Sequence, residues 1–422
     1  MYNDLMEQKL SEIFESRGYV YQISAESLAE ITDGEKRTLY LGVDPTADSM
    51  HVGQLQGVLV LRRFLEDGHK VVILVGGGTG MIGDPGGKSE ERNLQDNETV
   101  DRNTEALRAQ FAQLLGDREF TMVNNADWLR WLNLLEFLRD IGKHFSVNEM
   151  IKRDTVRPRL ETPDATISFT EFSYSLLQAY DFLYLHERIG VDLQVGGSDQ
   201  WGNILPGVDL IRRKKAKKVY ALSWPLLINK STGKKFGKSE AGAVWLDPKK
   251  TSPYQFYQFW LNAEDDSVEE YLKKMTLFSI SEIMAIMQQH GENPAARIAQ
   301  KQLAEAVTTL VHGHELMQQV QRVSAALFSD GPLEAADWNA LHANAPKLPA
   351  AIGSSLLDVI VASGLASSKR EAREFIENGA ISINGVKVAD VEHIISETDF
   401  SSVAPLAILK RGKRNVAVLV RS

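Results

Sequence analysis

Apolar positions along the chain switch between strand-like runs and helical spacing, and the switches mark its elements. Residues 39–43 and 69–75 are short apolar runs that predict buried strands. Between them the polar turn Asp44-Pro45-Thr46-Ala47-Asp48-Ser49 opens an apolar-rich helix over 51–67. Strand, helix and strand with short connections make a parallel βαβ unit, so a mostly parallel sheet is expected. Helical spacing returns over 128–150, with Gly142 as a break, and over 169–187; residues 193–197 predict another strand running into a Gly-Gly-Ser-Asp turn. Residues 1–17 read as an amphipathic helix that lacks the apolar centre of a signal peptide.

Beyond Pro253 the spacing turns helical, over 256–260, 268–275, 280–289 and 295–316. Residues 329–353, rich in Ala, Pro and Asp, read as a linker. Residues 356–376 predict two short helices broken at Ser363-Gly364, and 381–388 alternate around Asn384-Gly385, a hairpin signal. No apolar run approaches the ~20 residues of a membrane helix. The 422 residues contain no cysteine, which excludes disulfides, Cys-ligated metals and thiol catalysis and fits a reducing cytoplasm. Net charge is −9, yet 369–422 holds nine Lys/Arg against seven Asp/Glu, so an acidic body carries a basic end suited to a polyanion.

Several motifs carry chemistry. Gly78-Thr79-Gly80-Met81-Ile82-Gly83 matches G-x-G-x-x-G after a strand, but Asp84-Pro85 follows where a dinucleotide fold needs its helix under way. Gly83 to Ser89 falls one residue short of a phosphate-binding P-loop. So many glycines after a buried strand still suggest backbone approaching a ligand. His51-Val52-Gly53-Gln54 opens a helix, where free N–H groups and the dipole favour phosphate; the ordinary alternative is a surface histidine. Lys230 to Ser239 packs four lysines and two glycines into ten residues, either a solvated loop or a clamp for polyphosphate. Tyr174, Gln178 and Asp181 share one face of the 169–187 helix, which by amphipathicity alone is a solvated face. The basic run beginning Arg212-Arg213 is a solvated face too, or else a contact for nucleic acid.

In this order, six separated segments resemble the bacterial type of tyrosyl-tRNA synthetase, a class I aminoacyl-tRNA synthetase. They are Leu39 to Gln54, Gly77 to Pro85, Phe137 to Val147, Ile167 to Tyr174, Val195 to Asn203 and Lys235-Phe236-Gly237-Lys238-Ser239. The resemblance implies a Rossmann-like parallel-sheet α/β catalytic domain over 1–225, with a connective, dimer-forming region at about 128–165. A mobile lysine loop (226–248), an all-α domain (249–328), the linker (329–353) and a small α+β RNA-binding module (354–422) follow. His51-Val52-Gly53-Gln54 is similar to the His-x-Gly-His signature, and Lys235 to Ser239 to the Lys-Met-Ser-Lys-Ser signature; both serve ATP.

The implied reaction joins L-tyrosine to ATP as tyrosyl-adenylate, releasing pyrophosphate, and then transfers tyrosine to tRNA. Matching positions put Thr46, His51, Gln54, Lys88, Arg92, Lys235 and Lys238 around the phosphates. Asp44, Gly53, Asp199, Lys238 and Ser239 fall on ATP, and Tyr40, Tyr174, Gln178, Asp181 and Gln200 on tyrosine. Mg2+ enters with ATP, and no structural metal is expected. Gln54 departs from the second signature histidine and is expected to keep a ribose or ring-oxygen contact through its amide. Gly57 stands where relatives often carry a hydroxyl. The ending from Ser367 to Gly385 resembles an RNA-binding module first known in a ribosomal protein, which makes Lys369, Arg370, Arg373, Lys410, Arg411, Lys413 and Arg414 expected tRNA contacts beside Arg212 and Arg213. The resemblance also implies a homodimer. Competing readings are a tryptophanyl-tRNA synthetase, a non-catalytic RNA-binding relative and a nicotinamide dehydrogenase.

Overall fold

The structure is a computed structural model that describes residues 8–84, 96–153, 156–162, 166–228, 236, 238–239, 242–328, 333–412 and 415–422. The chain divides into two compact units, 1–246 with 266–289, and 247–265 with 290–422.

The first unit is a six-stranded sheet between helices. Its strands are β1 (Gln22–Ile23), β2 (Thr38–Val43), β3 (Lys70–Val75), β4 (Thr121–Asn124), β5 (Leu193–Gly197) and β6 (Tyr220–Trp224), in the order β1-β6-β5-β2-β3-β4. All neighbours are parallel except β1 against β6. The helices are α1 (Leu10–Arg17), α2 (Leu28–Thr32), α3 (Val52–Glu66), α4 (Asn97–Leu115), α5 (Ala126–Leu129), α6 (Leu134–Asp140), α7 (Val147–Met150), α8 (Arg157–Glu161), α9 (Phe169–Ile189) and α10 (Trp201–Lys215). Strand β3 is buried along five of its six residues, as a central parallel strand covered on both faces must be. After β2 the chain builds the sheet outward through β3 and β4, then returns to place β5 on the opposite side of β2. The carboxyl ends of β2 and β5 are therefore a topological switch point, where α/β sheets open a crevice.

Local chemistry sets the helix ends. Ser168 caps α9 by accepting from Glu171 N while the Glu171 side chain reaches back to Ser168 N, and Gly190 closes the helix at φ +72°. Buried Arg159 pairs with buried Glu171 at 2.9 Å, which ties α8 to the first turn of α9. The helix Val268–Met275 packs on α1 and α3. Arg17, 3% exposed, holds it there by donating to the carbonyls of Lys273 (2.7 Å), Thr276 (3.0 Å) and Phe278.

In the second unit the helices Pro253–Leu261, Ile298–His312, His314–Phe328 and Ala335–Asn344 pack in sequence-adjacent pairs and across Pro253–Leu261. A five-stranded sheet orders Val386–Lys387, Ile381–Ile383, Leu406–Arg411, Asn415–Arg421 and Lys347–Ala350. Helices Leu356–Ala362 and Lys369–Glu377 cover it over a core that includes Leu356, Ile360, Ile376, Leu409 and Leu419. Asn384 (φ +49°) and Gly385 (φ +84°) form the turn that the Asn-Gly pair predicts.

Four expectations change. The helix expected over 128–150 with one break at Gly142 is also interrupted over 130–133 and 145–146, and is divided among α5, α6, a tight turn at Gly142–His144 and α7. The stretch read as a linker contains the helix Ala335–Asn344 and the strand Lys347–Ala350, which pairs in parallel with residues 418–421. The single helix expected over 295–316 is two, Ile298–His312 and His314–Phe328, separated by Gly313 at φ +86°. Helical spacing continued through that glycine and hid the break. The helix Val268–Met275, expected within an all-α domain, clusters with the parallel-sheet unit.

Arg17→Met strands three carbonyl acceptors and is expected to destabilise the first unit by about 2–4 kcal/mol. Faster hydrogen exchange at the end of Val268–Met275 and a lower first unfolding midpoint are the measurements that check it.

Candidate active site

At the switch point a cavity of about 410 Å³ opens, lined among others by Tyr40, Asp44, Thr46, His51, Gln54, Tyr174, Gln178, Asp181 and Gln200. Strand β2 supplies Tyr40, and its outgoing turn supplies Asp44 and Thr46. Helix α9 supplies Tyr174, Gln178 and Asp181 at four- and three-residue spacing. That face of α9 is not solvated, as amphipathicity alone predicts: Tyr174 is 7% and Asp181 1% exposed, because the helix turns its polar stripe into the crevice.

One end of the cavity is built on Asp181. Asn125 Nδ2 donates to its Oδ2 at 2.9 Å and Trp128 Nε1 to its Oδ1 at 2.7 Å. Burial raises this carboxyl to about 7, against the lowering by both donors. Tyr40 is fully buried beside it, and its hydroxyl has no hydrogen-bond partner; burial, and secondarily the Asp181 charge, push that phenol well above its ordinary value. Gln194 on β5 pairs in register with Tyr40, lines the same cavity, and leaves its Oε1 buried without a partner.

A polar relay runs from this end toward the turn. Asn125 Nδ2 also donates to Thr79 Oγ1 (3.0 Å), and Thr79 donates to Asp44 Oδ1 (3.2 Å). Tyr174 donates to Asp44 Oδ2 at 3.1 Å; burial first, then Asp44, raises its phenol well above the usual range. Asp84 is 6% exposed and accepts from Gln200 Nε2 (2.8 Å) and Asn203 Nδ2 (3.2 Å).

The other end is the start of α3. His51 is its N-cap: Gly53 N donates to His51 Nδ1 at 3.1 Å, which leaves the proton of the neutral ring on Nε2. Gln54 completes a capping box, its Oε1 accepting from His51 N at 3.1 Å. The Gln54 oxygen is thus committed to the cap, and donor capacity resides in its amide NH2. A Cβ on Gly53 would lie 2.9 Å from the His51 ring and 3.0 Å from the Phe236 carbonyl, so glycine is required for this approach. At Gly57 a Cβ would meet Trp224 Cζ2 at 2.8 Å; the indole fills the space of the missing side chain. Residues 50–52 pair with 244–246 through Val52 N to Val244 O (2.9 Å) and Leu246 N to Met50 O (2.8 Å).

Of the expected residues, Tyr40, Asp44, Thr46, His51, Gly53, Gln54, Tyr174, Gln178, Asp181, Asp199 and Gln200 all line this one cavity. Lys88, Arg92 and Lys235 lie outside the described residues, as do Lys413 and Arg414. Lys238 and Ser239 form a two-residue strand with Gly242–Ala243, and their side chains are not among those described. Several of the basic residues have partners within the chain. Arg213 donates to the His144 carbonyl at 2.6 Å and Arg212 pairs with Asp209 at 2.8 Å. Lys369 pairs with Asp358 (2.5 Å) and Arg373 with Glu392 (3.7 Å), while Arg411 stacks over Phe375. Arg370 is exposed, and Lys410 is half-buried. Sequence reasoning missed Thr79, Asp84, Asn125, Trp128 and Gln194 as site groups; only Asp84, at a strand exit between Gly83 and Pro85, carried any signal.

Residues 32–329 match the profile described as tRNA synthetases class I (W and Y). The chain belongs to that family. Residues 339–419 match the tyrosine–tRNA ligase SYY-like C-terminal domain. A tyrosine–tRNA ligase of Laribacter hongkongensis is 47% identical over 424 residues, 99% of each chain. One of Staphylococcus haemolyticus is 46% identical over 418 residues, 97% of this chain and 98% of the relative. Among solved structures, a C-terminally truncated mitochondrial tyrosyl-tRNA synthetase of Aspergillus nidulans superposes with a TM-score of 0.65 at 33% identity, covering 74% of this chain and 92% of its own. A tryptophanyl-tRNA synthetase of Encephalitozoon cuniculi shares the fold, with a TM-score of 0.54 at 15% identity over 74% of this synthetase and 89% of that chain.

The Asp181 shift has a consequence for stability. Its carboxyl is raised in the folded protein from an ordinary value of 3.8 to about 7. The folded state therefore holds a proton that the unfolded chain has released, and stability falls as pH rises from about 4 through 7. Thermal unfolding of the wild type and of Asp181→Asn at pH 4.5 and 8 is expected to show a smaller loss for the variant.

Proposed function

We propose that the chain is a tyrosine–tRNA ligase that activates L-tyrosine with ATP and passes it to the terminal adenosine of its tRNA. The observation that carries the tyrosine assignment is the partnerless, buried hydroxyl of Tyr40 next to the Asp181 carboxylate. A substrate phenol can accept from Tyr40 and donate to Asp181, satisfying both. Phenylalanine leaves the Tyr40 hydroxyl unpaired and offers Asp181 no donor beyond Asn125 and Trp128, and an indole N–H, which only donates, leaves the Tyr40 proton unsatisfied. That weighs against tryptophan although the fold is shared. The substrate ammonium finds acceptors in Tyr174, Gln178 and the carboxylates of Asp44 and Asp84, all on the cavity wall.

In the first step an oxygen of the tyrosine carboxylate bonds to the α-phosphorus of ATP, supplied with Mg2+, as the bond to the pyrophosphate oxygen breaks. The nucleophile is already ionised, so no general base is required, and the protein contributes position and charge stabilisation. Nε2–H of His51 and the Thr46 hydroxyl are donors for the transferring phosphoryl, at a helix start whose dipole favours anions. Lys88, Arg92, Lys235 and Lys238 carry the charge that the leaving pyrophosphate needs. Gly53, Asp199, Ser239 and the Gln54 amide attend the nucleoside. In the second step a ribose hydroxyl of the tRNA end attacks the tyrosyl carbonyl and AMP departs.

The SYY-like C-terminal match supports a tRNA-binding role for the module, with Lys369, Arg370, Arg373, Lys410 and Arg411 as contacts; Lys369 and Arg373 exchange their internal ion pairs to join them. A homodimer is supported by an apolar surface: Trp131 is 85%, Leu135 76% and Phe169 77% exposed, and α6 buries none of its residues. No helix among the described residues is long and apolar enough to cross a membrane, and together with a cysteine-free chain this supports work in the cytoplasm.

Tyrosine-dependent ATP–pyrophosphate exchange tests the assignment. Exchange is expected with tyrosine and not with tryptophan, and Tyr40→Phe is expected to raise the KM for tyrosine by about 3- to 10-fold. Exchange with tryptophan alone, or with no amino acid, defeats it. Leu135→Asp is expected to give monomers in sedimentation; an unchanged dimer moves the interface elsewhere.

A further inference from the structure

The turn of residues 44–50 carries Thr46 and leads into His51, yet its ends are held from outside the turn. Asn103 Nδ2 donates to the carbonyl of Pro45 at 2.9 Å, and the N–H of Met50 donates to Gln110 Oε1 at 2.7 Å. The same Gln110 amide donates through Nε2 to Ser49 Oγ at 2.9 Å, and that hydroxyl donates to the Met50 carbonyl at 2.8 Å. Asn103 and Gln110 stand seven residues apart on α4, two turns along one face. Asn103 is 4%, Ser49 3% and Met50 1% exposed and Gln110 is half-buried, so the Asn103 bond is made away from water and the Gln110 bonds are partly shielded from it. Neither Asn103 nor Gln110 lines the cavity.

Resting on the tyrosine-activation reading, we infer that Asn103 and Gln110 are positioning residues for adenylate formation: α4 grips both ends of the turn and sets where the Thr46 hydroxyl and the His51 imidazole stand. The amide of Gln110 holds both the Ser49 hydroxyl and the Met50 N–H, so one side chain fixes the direction in which the chain enters α3. The cap that orients the His51 ring begins one residue later, at His51 N and Gly53 N. The tyrosine end of the cavity is built on Tyr40, Asn125, Trp128 and Asp181, none of which is hydrogen-bonded to α4. Asp44, at the start of the turn, is held by Thr79 and Tyr174 independently of α4, so release of the grip displaces the phosphate-side donors and spares the tyrosine pocket.

The test uses the full chain with Gln110→Met and Asn103→Leu, which keep side-chain volume without the amide, and Gln110→Glu, which keeps the acceptor for Met50 N–H. A displacement of about 1 Å is expected to lower kcat of tyrosine-dependent exchange by roughly 10- to 100-fold in the first two, with tyrosine Kd by equilibrium dialysis within about two-fold of wild type. Gln110→Glu is expected to recover most of the loss, and deuterium uptake over residues 44–51 to rise in Gln110→Met but not in Gln110→Glu. Unchanged kcat, a parallel loss of tyrosine affinity, or a Gln110→Glu no better than Gln110→Met overturns the inference. A wild type without tyrosine-dependent exchange defeats the functional reading instead, and the deuterium uptake then judges the grip by itself.

Discussion

The site is organised around a carboxylate taken out of water. Asp181 is desolvated, and its burial is tolerated because two fixed N–H donors, from Asn125 and Trp128, meet its two oxygens. Each compensating group constrains another element. Asn125 follows β4, Trp128 belongs to α5, Thr79 to the loop after β3, and Asp44 to the turn after β2. The carboxyl ends of three parallel strands are thus stitched to α9 by one set of polar contacts. Tyr40 and Gln194 are left unsatisfied beside this network, and on the proposed reading a substrate phenol completes Tyr40.

The α3 end of the cavity follows a different logic. There the backbone of residues 50–52 lies between the 244–246 segment and α4, and the His51 ring is oriented by its own helix. On the proposed reading, selectivity draws on side chains buried in the sheet, and chemistry on a helix start whose geometry is imposed by neighbours. The two ends of one cavity can vary separately, which suits a family that handles two different aromatic amino acids on one fold.

Much of the fold was legible. The run 193–197 and the Asn384-Gly385 hairpin are local signals, since a glycine exit and positive φ values are written in residue type. The strand Lys347–Ala350 was not legible, because Lys-Leu-Pro-Ala has no strand pattern and its partner lies some seventy residues later, at 418–421. In the site, Tyr174, Gln178 and Asp181 share a face by periodicity, but only the resemblance distinguished a pocket wall from a solvated stripe. Asn125, Trp128 and Gln194 come from separate strand ends and short helices, and no spacing links them. Nor does periodicity separate Gln110, which grips a turn, from the solvated polar residues beside it on α4.

Gly57 and Trp224 occupy one volume between them, the indole of β6 standing where a side chain on α3 would project. Neither position can then change by itself: a side chain at 57 requires a smaller ring at 224, so the two elements share one volume and are altered only together.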